Sequence, residues 1–320
     1  VDLNGRVIGI NTAIESPTGY FTGAGFAIPI DLAKKIADDI VGAMRAAGYA
    51  IKETNPFTDS TPPLLSLKAS SPYVNRLEMS WQGMREQVLE HFPRPPMTPV
   101  DKDVYLRRVD EVYVTDAYHS LSIEGYRVST ELIERVRSGS WNPDDRAVDR
   151  SHRDALAARG YWLAFQRVKQ SLGAILDGRN PGEVVQKDHG AWYRELFAPS
   201  VTAGILQPGD LAGYRSGPVY IRRSKHVPPR HEAVRELMPT FFRLLQQEQD
   251  PAVRVVLGHF VFVNIHPYVD GNGRMGRFMM NAMLGAGGYP WTVVPVERRS
   301  DYMETLEAAS VEGNLVPFSQ

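Results

Sequence analysis

His-Pro-Tyr-Val-Asp-Gly-Asn-Gly-Arg-Met-Gly-Arg, residues 266–277 of the 320-residue chain, carries most of what the sequence says about fold and chemistry. Gly271, Asn272 and Gly273 break the apolar run at 255–265 and suit a tight turn whose backbone N–H groups face one concavity, the form of an anion cradle. After the turn, Met275, Phe278, Met279, Ala282 and Met283 recur at helical spacing. The turn therefore belongs at a helix N-terminus, where the macrodipole favours negative charge. Arg274 and Arg277 share a face of that helix, so each guanidinium can clamp one phosphate of a polyphosphate. Asp270, just before the turn, is placed to hold Mg²⁺, whose remaining sites phosphate oxygens and water would fill. His266 lies four residues upstream and can take a proton from an attacking hydroxyl, since imidazole titrates near physiological pH.

At these positions the chain resembles the Fic-domain family, whose signature reads His-Pro-Phe-x-Asp/Glu-Gly-Asn-Gly-Arg-x-x-Arg. Tyr268 is the one departure, and it keeps the aromatic ring while adding a hydroxyl. The resemblance implies a mainly α fold, a Fic-type helical bundle, that moves a nucleoside monophosphate, most often AMP from ATP, onto a protein Ser, Thr or Tyr hydroxyl. It further implies His266 as general base, Asp270 as Mg²⁺ ligand, Gly271, Asn272 and Gly273 as anion hole, and Arg274 and Arg277 as phosphate ligands.

Two further segments are similar to the family. Ser120-Leu-Ser-Ile-Glu124-Gly125 matches an inhibitory pattern Ser/Thr-x-x-x-Glu-Gly/Asn. By that resemblance Glu124 pairs with Arg277, which then cannot hold the γ-phosphate, and the enzyme is kept off. Val219, Tyr220, Ile221, Arg222 and Arg223 read as a short strand between Gly217-Pro218 and Val227-Pro228-Pro229, which predicts a β-hairpin near 217–229. In the family such a flap pairs with the target main chain by β-augmentation. Tyr302, in a helical stretch at 298–309, falls where family members place a residue near the nucleotide base.

Composition narrows the remaining possibilities. Lys plus Arg number 36 against 37 for Asp plus Glu, a balance that does not indicate nucleic acid or an anionic membrane as partner. With no cysteine, disulfides, thiolate zinc sites and a cysteine nucleophile are excluded. No apolar run approaches a membrane span and no signal peptide is visible, so a cytoplasmic setting is the expectation. The chain begins with Val1 and stops just after Phe318, and missing sequence on either side is expected.

Character changes along the chain. Residues 7–11 and 26–29 read as strands around a turn-rich loop at 16–25, followed by a helix at about 31–46. This stretch resembles the last strands of an HtrA-type trypsin-like protease, but the Gly-Asn-Ser-Gly-Gly segment that bears the serine is absent. Residues 1–45 are therefore read as a remnant or fusion segment, 46–71 as a Pro- and Ser-rich linker, and 72–320 as the catalytic region, with an inhibitory helix near 104–125. Helices are expected at about 72–91, 100–121, 130–138, 150–172, 190–197, 232–247, 252–264 and 274–286.

The expected reaction is AMP transfer from Mg·ATP to a target protein, self-modification included. Three alternatives remain open at this point: a relative that removes AMP, one that transfers another phosphate-linked group, and a nucleotide-binding regulator without turnover.

Overall fold

The computed structural model describes residues 9–14, 25–48, 71–94, 101–141 and 153–320, and the chain divides into two units, residues 1–66 and 67–320. In the first unit, β1 (Gly9–Ile14) pairs antiparallel with β2 (Gly25–Pro29), Gly9 opposite Pro29, with one extra residue between Asn11 and Ala13 that makes a bulge. Helix α1 (Ile30–Ala46) follows directly. Of the loop expected at 16–25 only Gly25 is described, as the first residue of β2, and most of the expected linker lies outside the described residues.

The second unit is helical: α2 (Pro72–His91), α3 (Lys102–Ile123), α4 (Thr130–Arg137), α5 (Arg153–Leu176), α6 (Pro181–Thr202), α7 (His231–Gln247), α8 (Pro251–Ile265), α9 (Asn272–Ala286), α10 (Arg299–Glu307) and the short α11 (Val316–Ser319). Side chains at the boundaries explain many of the starts. Asp101 accepts from the N–H of Asp103 and Val104 at the head of α3, Asn180 from Glu183 at the head of α6, and Asp250 from Ala252 and Val253 at the head of α8. Pro181 and Pro251 occupy the first turn, where a missing N–H costs nothing. The sequence predicts a helix here only at 190–197; the Asn180-Pro181 cap starts α6 nine residues earlier.

Helix α8 is apolar on every side, with Val253, Val255, Val256, Leu257, Phe260, Val261, Phe262 and Ile265 all buried, the pattern of a central helix. It packs along α9, while α5 lies against α6. At the far edge Arg85 on α2 grips Glu248 through two parallel N–H···O bonds, each 3.1 Å, and Trp81 donates to the same carboxylate. The helical stretch expected at 298–309 divides into a 3₁₀ turn at Val296–Arg298, α10, and a π-helical turn at Ala308–Glu312.

One element of the expected fold is absent. Among the described residues 217–229 form no strand, so the β-hairpin is replaced by an irregular loop. Pro218, Pro228 and Pro229 remove N–H donors that a ladder needs. The Lys225 N–H donates instead to Glu307 Oε1 at 2.6 Å. Arg223, at φ 64°, turns the chain away from extended geometry.

Candidate active site

The connection from α8 to α9 is built by its own residues. His266 caps α8 in the left-handed region (φ 53°, ψ 60°), and Pro267 cannot extend the helix. Asn272 then closes the loop: its side chain accepts from Tyr268 N and donates to Tyr268 O, both at 2.9 Å. That amide is committed to the turn, and the Asn272 backbone N–H, in the first turn of α9, has no intrahelical acceptor. Gly271 precedes α9 at φ 82°, and a Cβ there would come within 2.9 Å of the Phe197 ring, two reasons for glycine at this position. Its N–H donates to Asp270 Oδ1 at 2.6 Å. The first N–H groups of α9 have no intrahelical acceptor and face outward with the positive end of the dipole. Tyr268 is buried, its ring stacked on Tyr193 at 3.7 Å, and the added hydroxyl leaves the ring's packing role intact.

His266 is half-buried, with Nδ1 3.3 Å from Val263 O, which assigns the proton to Nδ1 and leaves Nε2 with a free lone pair. Burial pulls its pKa below the ordinary histidine value. Nearby Arg215 and His226 add to this, and the Val263 carbonyl and Glu124 oppose it. The ring is therefore a neutral base at pH 7.

Both signature arginines are buried, Arg274 at 1% and Arg277 at 3% exposure. Arg274 lies over the rings of Tyr126 and Phe197, each at 5.1 Å. Its Nε and Nη2 make no hydrogen bond, although Nη2 is 3.5 Å from Asp270 Oδ2. Arg277 is engaged by α3: Nε donates to Ser120 Oγ (2.9 Å), and Nη2 to Ser120 O (3.0 Å) and Glu124 Oε1 (2.7 Å), while Nη1 has no partner. Buried donors without acceptors are costly, and three guanidinium nitrogens here, Nε and Nη2 of Arg274 and Nη1 of Arg277, stand unfilled.

Glu124 owes its position to the way α3 ends. It is the C-cap, and Gly125 follows at φ 86°; Gly125 N bonds Ser122 O and Tyr126 N bonds Leu121 O, the paired contacts of a Schellman stop. The side chain then crosses to α9, where a Cβ on Gly273 would collide with Glu124 Oε1. Burial raises the Glu124 pKa, but Arg277, Arg274 and Arg299 outweigh it and hold the carboxyl below its usual range.

A cavity of about 600 Å³ has Glu124, His266, Gly273, Arg277 and Tyr302 in its wall. The loop residues Ile221 and Arg222 line it too, whereas Tyr220 is 79% exposed. A second cavity, of about 570 Å³, lies on the Asp270 and Arg274 side. The structure thus brings His266, Gly273, Arg277, Glu124 and Tyr302 to one cavity and sets Asp270 and Arg274 at the other.

Among the described residues no group of three His, Cys, Asp or Glu could hold a metal ion. Asp270 is a single carboxylate, 60% exposed, beside the unfilled Nη2 of Arg274. That donor set fits Mg²⁺ only as an ion carried largely by phosphate oxygens and water.

Two residues that sequence reasoning passed over support this site. His259, one residue in an apolar helix, is fully buried and its Nε2 lies 2.7 Å from the Tyr302 hydroxyl; burial pushes its pKa down to about 4, so it is neutral and accepts that proton. Asp116, one turn before Ser120, is buried and receives the Tyr161 hydroxyl at 2.6 Å, while burial raises its pKa to about 6. A polar residue on an otherwise apolar helix face was the only sequence signal for either.

The profile of the Fic/DOC family matches residues 187–284. Among curated proteins the chain is similar to the protein adenylyltransferase Fic of Drosophila grimshawi, 32% identical over 218 residues, covering 67% of this chain and 41% of that protein. The Drosophila melanogaster protein of the same name is 31% identical over 218 residues, covering 67% and 40%. The chain thus spans about two-fifths of the length of these relatives. Among solved structures, Fic-1 (residues 134–508) from C. elegans aligns with a TM-score of 0.55 at 23% identity, covering 77% of this chain and 68% of that one. A Fic family protein from Desulfovibrio desulfuricans G20 aligns at 0.52 and 22% identity, covering 78% and 70%. At such identities the structures speak to the fold alone, and that fold is the same helical one.

Proposed function

Through residues 187–284 this chain is a member of the Fic/DOC family, and from that premise we propose that it transfers AMP from ATP to a Ser, Thr or Tyr hydroxyl of a protein, itself included. The observation that carries the reading is the shared cavity: a neutral His266 Nε2, the head of α9 and the Arg277 guanidinium line one space of about 600 Å³. The names of the curated relatives point to the same reaction.

In this reaction His266 Nε2 takes the proton of the target hydroxyl as its oxygen attacks the α-phosphorus. A new phosphorus–oxygen bond forms to the target, the bond between the α-phosphorus and the bridging oxygen breaks, and pyrophosphate leaves. Backbone N–H groups of Asn272 and Gly273 face the α-phosphate, where the helix dipole stabilises negative charge. Arg274 and Arg277 hold the following phosphates, which supply acceptors for their unfilled nitrogens. Mg²⁺, held by Asp270 and phosphate oxygens, would neutralise charge on the leaving group. Tyr302, anchored by His259, forms the wall on the base side, and residues 219–222 present the target main chain. We assign this chemistry to residues 72–320.

Glu124 acts as the brake. Its carboxylate lies against Gly273 and occupies Nη2 of Arg277 at 2.7 Å, the ground a γ-phosphate would need. A nucleotide then binds in a pose that turns its α-phosphorus away from the attacking hydroxyl.

The test uses ATP labelled at either the α- or the γ-phosphate, with the Glu124→Gly variant and His266→Ala as blank. Retention on protein of the α-label alone is expected; retention of the γ-label would replace AMP transfer by phosphate transfer. One observation favours a second reading, removal of AMP: Glu124 shares the cavity with His266 and can orient a water there. In that case Glu124→Gly abolishes release of AMP from a modified protein.

A further inference from the structure

Arg215 is buried, at 5% exposure, yet among the described residues no carboxylate forms an ion pair with it. Burying a guanidinium without a counter-ion is costly unless its donors are filled. They are filled by main-chain carbonyls. Nε donates to His266 O at 2.8 Å, Nη1 to Gly217 O at 3.0 Å, and Nη2 to Pro229 O and, at 3.5 Å, to Ile265 O. The Arg215 N–H adds a bond to Pro267 O at 2.9 Å.

These acceptors come from two places that the backbone does not join directly. Ile265, His266 and Pro267 belong to the turn that sets the histidine. Gly217 and Pro229 are the two ends of the loop that replaces the expected hairpin. The turn needs such support, because His266 is a non-glycine residue in the left-handed region and also precedes a proline, which narrows its backbone freedom further. One planar fork with a fixed angle between donors therefore ties the strained turn to both ends of the loop.

We propose that Arg215 is a positioning residue for the transfer reaction, fixing the distance between the target-presenting loop at 217–229 and the Nε2 of His266. The inference rests on the AMP-transfer reading for its catalytic meaning, though the tie itself is structural. The middle of the loop is held separately: Ser224 Oγ and Lys225 N donate to Glu307, and the His226 ring meets Asn264 O at 2.8 Å. Among the described residues Arg215 alone hydrogen-bonds both ends of the loop and the histidine's own carbonyl.

Lysine keeps the charge but has no planar fork, so Arg215→Lys is the informative change, with Arg215→Gln as a second variant. Both are made in the Glu124→Gly background, and three quantities are read: the Kd for Mg·ATP, the kcat for transfer of α-labelled phosphate, and the ¹⁵N signals of the His266 imidazole, identified by their loss in His266→Ala. For Arg215→Lys we expect a Kd within about two-fold of the parent and a kcat at least ten-fold lower. The ring signals should also move, as the Nδ1–H bond to Val263 loosens. A merely structural role would lower ATP affinity in step with kcat, and that outcome overturns the proposal. Imidazole signals identical to the parent's overturn it as well. If the Arg215-intact parent transfers no label, it is the AMP-transfer reading that has failed, and the imidazole signals alone then decide the role of Arg215.

Discussion

Arg277 Nη2 and Glu124 Oε1 lie 2.7 Å apart although 153 residues separate them in the chain. One partner stands in the second turn of α9, the signature helix, and the other caps α3. The arginine is also bonded to Ser120, so α3 holds its side chain by three contacts along a single helix end.

Replacing Glu124 by Gly frees one hydrogen of Nη2, the other still donating to Ser120 O, and clears the space over Gly273. Transfer of α-label is expected to rise at least ten-fold in a filter or gel assay, and an unchanged rate would remove Glu124 as the brake. Because a buried cation then loses its partner, stability should drop by about 3 kcal/mol, measurable by urea unfolding.

Ser120→Ala deletes one of the three contacts and leaves the carboxylate in place. A hydrogen bond to a charged group contributes about 1.5–3 kcal/mol, so Arg277 should yield to phosphate more easily and transfer should rise, but less than in Glu124→Gly. In the double variant the two effects should not add, since both release the same guanidinium. Independent, multiplying effects in the α-label assay would contradict this.

His266→Ala should lower transfer by about 10²–10⁴-fold, the usual worth of a positioned base, with Mg·ATP binding retained. The pH profile offers a separate check. Burial holds the imidazole below its ordinary pKa, so the acid limb of the rate profile should fall below pH 6.5, the unperturbed histidine value. Glu124 raises that pKa, so the limb should move lower still in Glu124→Gly. A limb above the ordinary value would argue against His266 as the base.

His259 predicts a pH-dependent loss of stability. Unfolded, it binds a proton near pH 6.5; folded, only near about 4, because burial and Arg277 disfavour the charge. Stability is therefore complete above 6.5 and is lost as pH falls toward 4, by about 1.4 kcal/mol per unit and about 3 kcal/mol in all. Asp116 shifts in the opposite sense, its folded pKa raised to about 6, so wild type must be compared with His259→Gln, in which Asp116 is unchanged. Parallel stability curves for the two proteins between pH 4 and 6.5 would refute the assignment.

Much of the site was legible because its chemistry is local. The turn at 271–273, the two arginines and the histidine lie within twelve residues, and each has a reason in backbone geometry that residue type alone reveals. The Glu124-Gly125 pair was legible as a motif, while the helix, expected to end at about 121, runs on to Ile123 before that pair stops it. What escaped was carried by contacts distant in sequence. Arg215 finds its acceptors in carbonyls, which leave no trace in residue identity, and His259 meets Tyr302 forty-three positions away. The hairpin at 217–229 failed for another reason: alternation of side chains reports which faces differ but not whether N–H donors are free, and here prolines and Glu307 take them.

The Schellman stop on α3 has a kinetic consequence. A carboxylate fixed at a helix end meets Arg277 as an intramolecular partner, at an effective concentration of order millimolar or above, which does not change with expression level or dilution. Nucleotide must compete with a counter-ion that never diffuses away. Under the proposed brake, relief is set by how readily the Glu124 side chain leaves Arg277, whether by side-chain rotation or by local opening of the last turn of α3.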